Sequence, residues 1–110
     1  MPALLVLCTC PDEASGNALA QALVTQRLAA CVNVLPPMRS IYRWQGRIEH
    51  ASEVQLLVKT TAQRFPALKD HIVRQHPYDV PEILAFPASD GLPAYLRWVE
   101  DETSSDRNGA

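Results

Sequence analysis

The stretch CVNVLPPMRSIYRWQGRIEHASEVQLLVKT, residues 31–60, decides the fold of this 110-residue chain. It predicts two strands folded back at Gln45 and Gly46, because a glycine in the second central position suits a hairpin turn with positive φ. An arm of about thirteen residues would span about 43 Å, whereas a domain of this size has a diameter of about 34 Å. The hairpin therefore overhangs its own domain, and its unpaired strand edges predict association with further copies of the chain.

The segments around the hairpin alternate between strand and helix patterns. In chain order they predict a strand over residues 3–9, a helix from residue 11 to 29 or 30, a break of the hairpin at an edge or bulge at Pro36 and Pro37, a helix over 62–75, a strand over 80–86 and a short helix over 93–99. This order predicts an α+β, ferredoxin-like (split β-α-β) fold with a long protruding hairpin and an extra C-terminal helix. Residues 1–100 form this single domain, and the polar tail, residues 101–110, is predicted to be disordered. Helices on one face leave the other face of the sheet bare, which again favours oligomerisation.

Composition and charge narrow the class of protein. Hydrophobic residues make up 47% of the chain and charged residues 20%, as in ordinary globular domains. With a net charge of -2, the chain lacks the excess of basic residues that attracts nucleic acid or an anionic membrane. The chain lacks a signal-peptide pattern, and three cysteines, an odd number, argue against a disulfide framework. We therefore predict a cytoplasmic protein without a nucleic-acid or membrane partner.

Four blocks of the sequence resemble the CutA divalent-cation tolerance family. They are LCTCPDEA at residues 7–14, LAACVNVLPPMRSIYRWQGRIE at 28–49, EVQLLVKTT at 53–61 and HPYDVPEIL at 76–84. The combination of YRWQG, VKT and HPYDVPEIL is highly specific, and the match covers the chain up to its tail. The resemblance implies a stable homotrimer of ferredoxin-like subunits, in which each long hairpin extends a neighbour's sheet around a three-fold ring. It also implies a likeness in fold and assembly to PII-type signalling proteins.

The resemblance further implies a metal site. Some bacterial members have a copper site made by a cysteine in the first strand and two adjacent histidines before Pro-Tyr. Carried over by position, these ligands are Cys8 and His76, and Gln75 stands in place of the first histidine. An amide is a far poorer copper ligand than an imidazole. Further ligands would have to come from a neighbouring subunit or from Cys10, His71 or His50.

Each candidate ligand also has a purely structural interpretation. Cys8 and Cys10 share one face of a strand, where thiolates could bind Cu(I), yet a buried free cysteine usually packs as a small hydrophobe. His76 is predicted at a helix end, where the helix dipole favours the protonated imidazole and so opposes metal binding. His71 lies five residues before His76, a poor match to the i, i+4 spacing of paired helical ligands.

A second set of residues predicts a cleft at a subunit boundary. The family pattern places Trp44, Lys59, Tyr78 and Glu82 there. A lysine and a glutamate that meet in a cleft could hold a small anion or transfer a proton, although such a pair more often fixes an interface. The sequence has neither G-x-S-x-G nor a phosphate-binding glycine loop, so no catalytic residue is predicted.

These interpretations give one main hypothesis and two alternatives. The main hypothesis is a non-enzymatic homotrimer that serves divalent-cation tolerance, binds Cu(II) or another divalent cation weakly and needs no obligatory cofactor. The first alternative is a PII-like trimeric scaffold or sensor that binds a small anionic ligand or a protein partner in the clefts between subunits. The second and weaker alternative is an enzyme that acts through Lys59, Tyr78 and Glu82.

Overall fold

The order of strands and helices follows the predicted split β-α-β pattern. The structure, a computed structural model, describes residues 2–104. In chain order its elements are β1 (Ala3–Cys10), α1 (Glu13–Thr25), β2 (Cys31–Val34), β3 (Met38–Trp44), β4 (Arg47–Thr61), α2 (Phe65–Gln75), β5 (Ile83–Pro87) and α3 (Pro93–Glu102). The strands form an antiparallel sheet in the order β2-β4-β1-β5, and β3 also pairs with β4. The predicted α+β, ferredoxin-like fold with a long hairpin and an added C-terminal helix is confirmed.

The hairpin of β3 and β4 turns at Gln45 and Gly46, as predicted. Their φ angles are 50° and 79°, and a two-residue turn of the I′ kind requires positive φ at both central positions. The arm that projects is shorter than expected, because β3 has 7 residues and the second half of β4 lies inside the sheet between β1 and β2. The overhang is still confirmed, since the molecule is 49 Å long and its radius of gyration of 14.7 Å exceeds the value of about 13 Å for a compact domain.

The two prolines interrupt the edge strand that runs along β4. Neither Pro36 nor Pro37 has an N–H to donate to a ladder. Val34 pairs with Leu56 and Met38 pairs with Glu53, so the edge segment carries one residue more than β4 between these pairs. One extra residue on one strand is a β-bulge, and the predicted edge or bulge at the prolines is confirmed.

Helix α1 ends earlier than predicted. It stops at Thr25 rather than at residue 29 or 30, because Arg27 adopts a positive φ of 58°. The N–H of Leu28 then donates back to the carbonyl oxygen of Leu23 at 2.9 Å. This bond closes a C-terminal cap of the Schellman type, and residues 28–30 continue as a buried connection to β2.

Helix α2 and strand β5 both start later than predicted. Helix α2 begins at Phe65 rather than at residue 62, because β4 continues to Thr61 and a turn follows. Strand β5 begins at Ile83, which pairs with Cys8, rather than at residue 80. Pro81 cannot donate a ladder hydrogen bond, so the residues around it stay outside the sheet.

Helix α3 is longer than predicted and enters the predicted tail. It continues to Glu102 instead of residue 99, and the hydroxyl of Thr103 donates to the carbonyl oxygen of Val99 at 2.8 Å. Arg27 contacts the Glu102 carboxylate at 3.4 Å, which ties α3 to the end of α1. The remainder of the predicted disordered tail, residues 105–110, lies outside the described residues. Within residues 2–104, no helix is long and apolar enough to span a membrane.

The core lies between one face of the sheet and helices α1 and α2. Its buried residues include Val6, Cys8, Cys10, Val54, Leu56 and Val58 from the strands and Leu19, Leu23, Leu68 and Ile72 from the helices. Gly16 allows α1 to approach β4 closely, because a Cβ at this position would lie 2.9 Å from Cγ2 of Val54. The helix-covered face therefore holds both cysteines of β1 in a tightly packed environment.

The opposite face of the sheet carries apolar side chains, and those on β5 remain partly exposed. Its residues alternate along each strand with those of the core, and on β5 the side chains of Leu84 and Phe86 are 53% and 47% exposed. We call this surface the open face; it comprises Leu5, Leu7, Leu57, Leu84 and Phe86. The bare sheet face predicted from the sequence is confirmed.

Candidate metal centre

Cys8 and Cys10 lie side by side on the helix-covered face of β1. Residues two apart on a strand point to the same side, and both side chains are buried, with exposures of 0% and 1%. Cys8 pairs with Leu56 of β4 and Ile83 of β5, and Cys10 pairs with Val54. Both cysteines are free thiols.

The two thiols differ in how easily they lose a proton. The hydrogen bond with Cys10 raises the pKa of Cys8, and burial raises it further. The same hydrogen bond lowers the pKa of Cys10, against the opposing effect of burial. Cys8 therefore remains a thiol that donates to Cys10, and Cys10 becomes a thiolate first. Since the thiolate is the form that ligates metal ions, Cys10 is the more available sulfur ligand.

His76 is held at the end of α2 by two backbone groups. It is the C-cap residue of the helix and is 8% exposed. Its Nε2 lies 2.6 Å from the carbonyl oxygen of Thr9, and its Nδ1 accepts a hydrogen bond from the Tyr78 N–H at 3.1 Å. Because Nδ1 accepts, Nε2 must carry the proton that is donated to Thr9. Both ring nitrogens are therefore engaged with the backbone.

The three residues nevertheless form a compact group of potential ligands. The ligand atoms of Cys8, Cys10 and His76 lie within 4.8 Å of one another. Two sulfurs bound to the same ion at about 2.3 Å can be at most about 4.6 Å apart, so small side-chain rotations would bring them into range. The set of two thiols and one imidazole fits Cu(I) and Zn(II), which favour sulfur and nitrogen ligands. The structure thus brings together both metal ligands that the resemblance implies.

A cavity between α1 and α2 opens next to this group. Its volume is about 370 Å³, and its lining includes Cys10, His71, Gln75 and His76. His71 is only 7% exposed, and its Nε2 has no hydrogen-bond partner within residues 2–104. Burial and the nearby charge of Arg74 lower the pKa of this imidazole. His71 is therefore a neutral imidazole with a free ring nitrogen.

Reasoning from the sequence underestimated His71. The i, i+4 spacing concerns only pairs of ligands on one helix, whereas His71 lines the same cavity as Cys10 of β1. One signal was present in the sequence: His71 follows Leu68 by three residues and precedes Ile72 by one, so it lies on the apolar face of α2. The structure confirms that these three residues are the buried ones of the helix.

The predicted cleft residues separate into two places. Trp44, Tyr78 and Glu82 line one cleft of about 710 Å³. The hydroxyl of Tyr78 donates to Glu53 at 2.7 Å, and the pKa of Tyr78 is raised by burial and by this hydrogen bond. The hydroxyl of Thr9 donates to Glu82, so Glu53 and Glu82 are each held by a neighbouring hydroxyl group.

Lys59 lies outside this cleft. Its ammonium group donates to the side-chain oxygen of Asn33 on β2, and it is four residues along β4 from Gln55, which does line the cleft. Four strand residues span about 13 Å, which explains the separation. The charged residues that line the cleft are Glu53, Asp79 and Glu82, all acidic. Within one subunit, Lys59 and Glu82 do not form the pair considered for an anionic ligand.

The fold and this ligand group together define a class of small α+β proteins with a protruding hairpin and a buried thiol–imidazole cluster suited to metal ions. Residues 4–102 match the CutA1 divalent ion tolerance protein family. The chain therefore belongs to that family, as its sequence motifs indicated.

Relatives from distant organisms agree with this assignment. The divalent-cation tolerance protein CutA of Thermus thermophilus is 50% identical over 99 residues, which cover 90% of this chain and 96% of the relative. Protein CutA of Homo sapiens is 46% identical over 97 residues, which cover 88% of this chain and 54% of the human protein. Among solved structures, CutA1 from Oryza sativa superposes with a TM-score of 0.92 at 36% identity and covers 96% of both chains.

Proposed function

We propose that this protein is a non-enzymatic homotrimer that serves divalent-cation tolerance by binding copper-type ions. The observation that carries the proposal is the group of Cys8, Cys10 and His76, whose ligand atoms lie within 4.8 Å of one another. Thiolates and imidazoles are the ligands of protein copper and zinc sites. The proposed ion is cargo rather than an obligatory cofactor. The names of the relatives, divalent-cation tolerance proteins, point in the same direction.

Gln75 alters the site without removing its basis. Where the resemblance implies a second imidazole, this chain has an amide, and Cys10 offers a second sulfur instead. The ligand set therefore changes from one sulfur and two nitrogens to two sulfurs and one nitrogen. Sulfur ligands favour softer ions, so we expect a preference for thiophilic ions over hard ones such as Mg²⁺.

Two exposed apolar surfaces support the trimer. The open face leaves Leu84 and Phe86 about half exposed, and on the hairpin the side chains of Tyr42 and Trp44 are 43% and 50% exposed. Contiguous apolar surface of this kind marks interaction sites in soluble proteins. A ring of three subunits would cover the open face and pair the free hairpin edges, which otherwise invite association.

A cytoplasmic location is part of the same proposal. The three cysteines are free thiols, and two of them form the proposed site. Thiols persist in a reducing compartment, whereas oxidising compartments favour disulfides. Fractionation of cells into cytoplasmic and exported proteins, followed by immunodetection of this chain, would show where it resides. Detection in the exported fraction alone would overturn this part of the proposal.

A calorimetric titration tests the metal-binding function. Zn(II), which cannot oxidise the thiols, should bind the reduced protein saturably near neutral pH, and Cys8→Ser should weaken the binding by about tenfold or more, or about 1.4 kcal/mol. Cys31→Ser is the matched control, because Cys31 lies on β2, outside the ligand group. Weak, non-saturating heat with the unaltered protein, or equal losses in both variants, would contradict the proposed site.

Recognition of a ligand in the cleft is a second candidate function. The observation in its favour is the cleft of about 710 Å³, lined by Tyr42, Trp44 and Tyr78. The charged residues of this cleft are acidic, so the cleft favours a basic partner or an organic cation over the small anion first considered. Its aromatic side chains favour a cation as well, because aromatic faces attract cations. A thermal-shift screen separates these cases: stabilisation by anions alone would contradict the cationic preference.

A further inference from the structure

The segment between α2 and β5 is held to the sheet by side chains rather than by its backbone. It comprises residues 77–82, and we call it the strap. Among residues 2–104, no backbone–backbone hydrogen bond involves a strap residue. Two side-chain bonds anchor the strap instead. The hydroxyl of Tyr78 donates to Glu53 of β4 at 2.7 Å, and the hydroxyl of Thr9 on β1 donates to Glu82. A segment without a backbone ladder opens locally at a lower free energy than the core.

The strap also determines the surroundings of the His76 ring. The N–H of Tyr78 donates to Nδ1 of His76 at 3.1 Å, and the centroids of the two rings lie 4.8 Å apart. Only one residue separates Tyr78 from His76, so a movement of Tyr78 changes what Nδ1 contacts. The anchors of the strap therefore also hold the imidazole in its present arrangement.

A metal ion cannot bind His76 while the Tyr78 N–H stays in place. An ion at Nδ1 takes the lone pair that now accepts the hydrogen bond. An ion at Nε2 binds the neutral imidazole, whose proton then lies on Nδ1 and faces the Tyr78 N–H as a second donor. In both cases Tyr78 has to move away from the ring, and its bond to Glu53 opposes this movement.

We propose that the strap is a latch, which keeps both ring nitrogens of His76 bonded to the backbone, so that an ion gains this ligand only when the strap opens. In the latched arrangement Nε2 lies 2.6 Å from the Thr9 carbonyl oxygen, and Nδ1 lies 3.1 Å from the Tyr78 nitrogen. The affinity for an ion is then reduced by the fraction of molecules in which the strap is open. This inference rests on the proposed metal-binding function and adds a regulation of that site. It also links the site to the cleft, because Tyr78 and Glu82 line the cleft.

The first test measures hydrogen exchange of the Tyr78 amide in the reduced, full-length protein without added metal. Thr9→Val removes the hydroxyl that holds Glu82 but keeps the backbone carbonyl that accepts from His76. The Tyr78 amide should then exchange about tenfold faster, which corresponds to an anchor of about 1.4 kcal/mol. The amide of Val6, a buried residue of β1, should keep its rate, and Thr9→Ser should restore slow exchange of the Tyr78 amide. Equal Tyr78 rates in all three proteins, or an equal acceleration of the Val6 amide, would overturn the latch.

The second test compares Zn(II) affinities by calorimetry. Tyr78→Phe removes the hydroxyl that donates to Glu53 and keeps the ring, so less free energy is needed to open the strap. The affinity for Zn(II) should rise about tenfold, or about 1.4 kcal/mol. Tyr95→Phe is the matched control, because Tyr95 lies on α3, outside the strap, and it should leave the affinity unchanged.

The two experiments separate failure of the latch from failure of the metal site. If the unaltered protein binds Zn(II) saturably and Tyr78→Phe binds it equally or more weakly, the strap does not oppose binding and the inference is wrong. If the unaltered protein does not bind Zn(II) saturably, the proposed function is wrong, and hydrogen exchange alone still decides whether the strap holds the imidazole.

Discussion

Replacement of Trp44 by alanine should weaken the assembly much more than the single subunit. Trp44 ends β3, and within one subunit its side chain is 50% exposed. A tryptophan side chain can bury up to about 250 Å², so about 125 Å² remains for a neighbouring subunit to cover. At about 25 cal/mol per Å², covering this area would contribute about 3 kcal/mol per subunit to the proposed trimer. In an isolated subunit the same residue sits at an exposed hairpin end, and its loss has a smaller effect.

Unfolding in guanidinium at two protein concentrations, tenfold apart, measures this difference. If unfolding is coupled to dissociation, the midpoint of the unaltered protein rises with concentration. Trp44→Ala should lower the midpoint at both concentrations and should populate monomers in sedimentation experiments at concentrations where the unaltered protein is trimeric. Val73→Ala is the control, because Val73 is 55% exposed on helix α2, away from the open face, and it should change neither quantity.

Two results would refute the reasoning about the hairpin. One is a Trp44→Ala protein that sediments as a trimer with an unchanged midpoint, because the hairpin would then lie outside the interface. The other is a midpoint of the unaltered protein that does not depend on concentration, because unfolding would then involve no dissociation.

Two further predictions concern helix α1. Gly16→Ala should lower the free energy of unfolding by about 1 kcal/mol, because overpacking against Val54, 2.9 Å from the new Cβ, costs about 1–3 kcal/mol and better helix propensity returns about 1 kcal/mol. Val54→Ala should then lower the free energy of unfolding less in the Gly16→Ala background than in the unaltered protein, as measured by urea unfolding. A Gly16→Ala protein that is more stable than the original would contradict the close packing. Asp12 caps the helix, and the backbone and side chain of Ser15 lower the pKa of its carboxyl below the ordinary 3.8. Since the folded-state pKa is the lower one, the contribution of Asp12 is fully present above about pH 4 and is lost as the pH falls below that value through the lower folded-state pKa. Asp12→Asn should therefore flatten the decline of the melting temperature in acid, and an unchanged decline would show that the cap is not responsible.

Much of the fold followed from local chemistry. Gly46 at the turn, the missing N–H groups of Pro36 and Pro37, and the continuous apolar run of β1 each limit the backbone within a few residues, and the turn, the bulge and the strand were confirmed. The end of α1 was not predicted, because Arg27 takes a left-handed conformation that a non-glycine residue seldom adopts. Residues 28–30, which follow Arg27, are buried. Their burial depends on tertiary packing, and this packing holds Arg27 in its conformation.

The candidate site shows the same division. The proximity of Cys8 and Cys10 followed from their spacing on one strand, and the proximity of His76 was implied by the family resemblance. The unpaired Nε2 of His71 among residues 2–104 could not be foreseen, because it lies at a cavity whose walls come from α1, α2 and β1. Lys59 and Glu82 were expected in one cleft, but the pairing of β4 with β1 and of β1 with β5 places Glu82 beside Thr9 and Lys59 beside Leu5, four residues away along β1.

The sequence by itself determined the order of the elements, the turn, the family and the proximity of the two candidate sulfur ligands. These depend on residue type, on spacing along one element and on motifs of consecutive residues. Only the tertiary structure decided how the imidazoles are bonded, because both nitrogens of His76 are bonded to backbone groups of Thr9 and Tyr78 while Nε2 of His71 has no partner among residues 2–104. Hydrogen-bond partners distant in the sequence are selected by packing, and packing depends on all the elements at once.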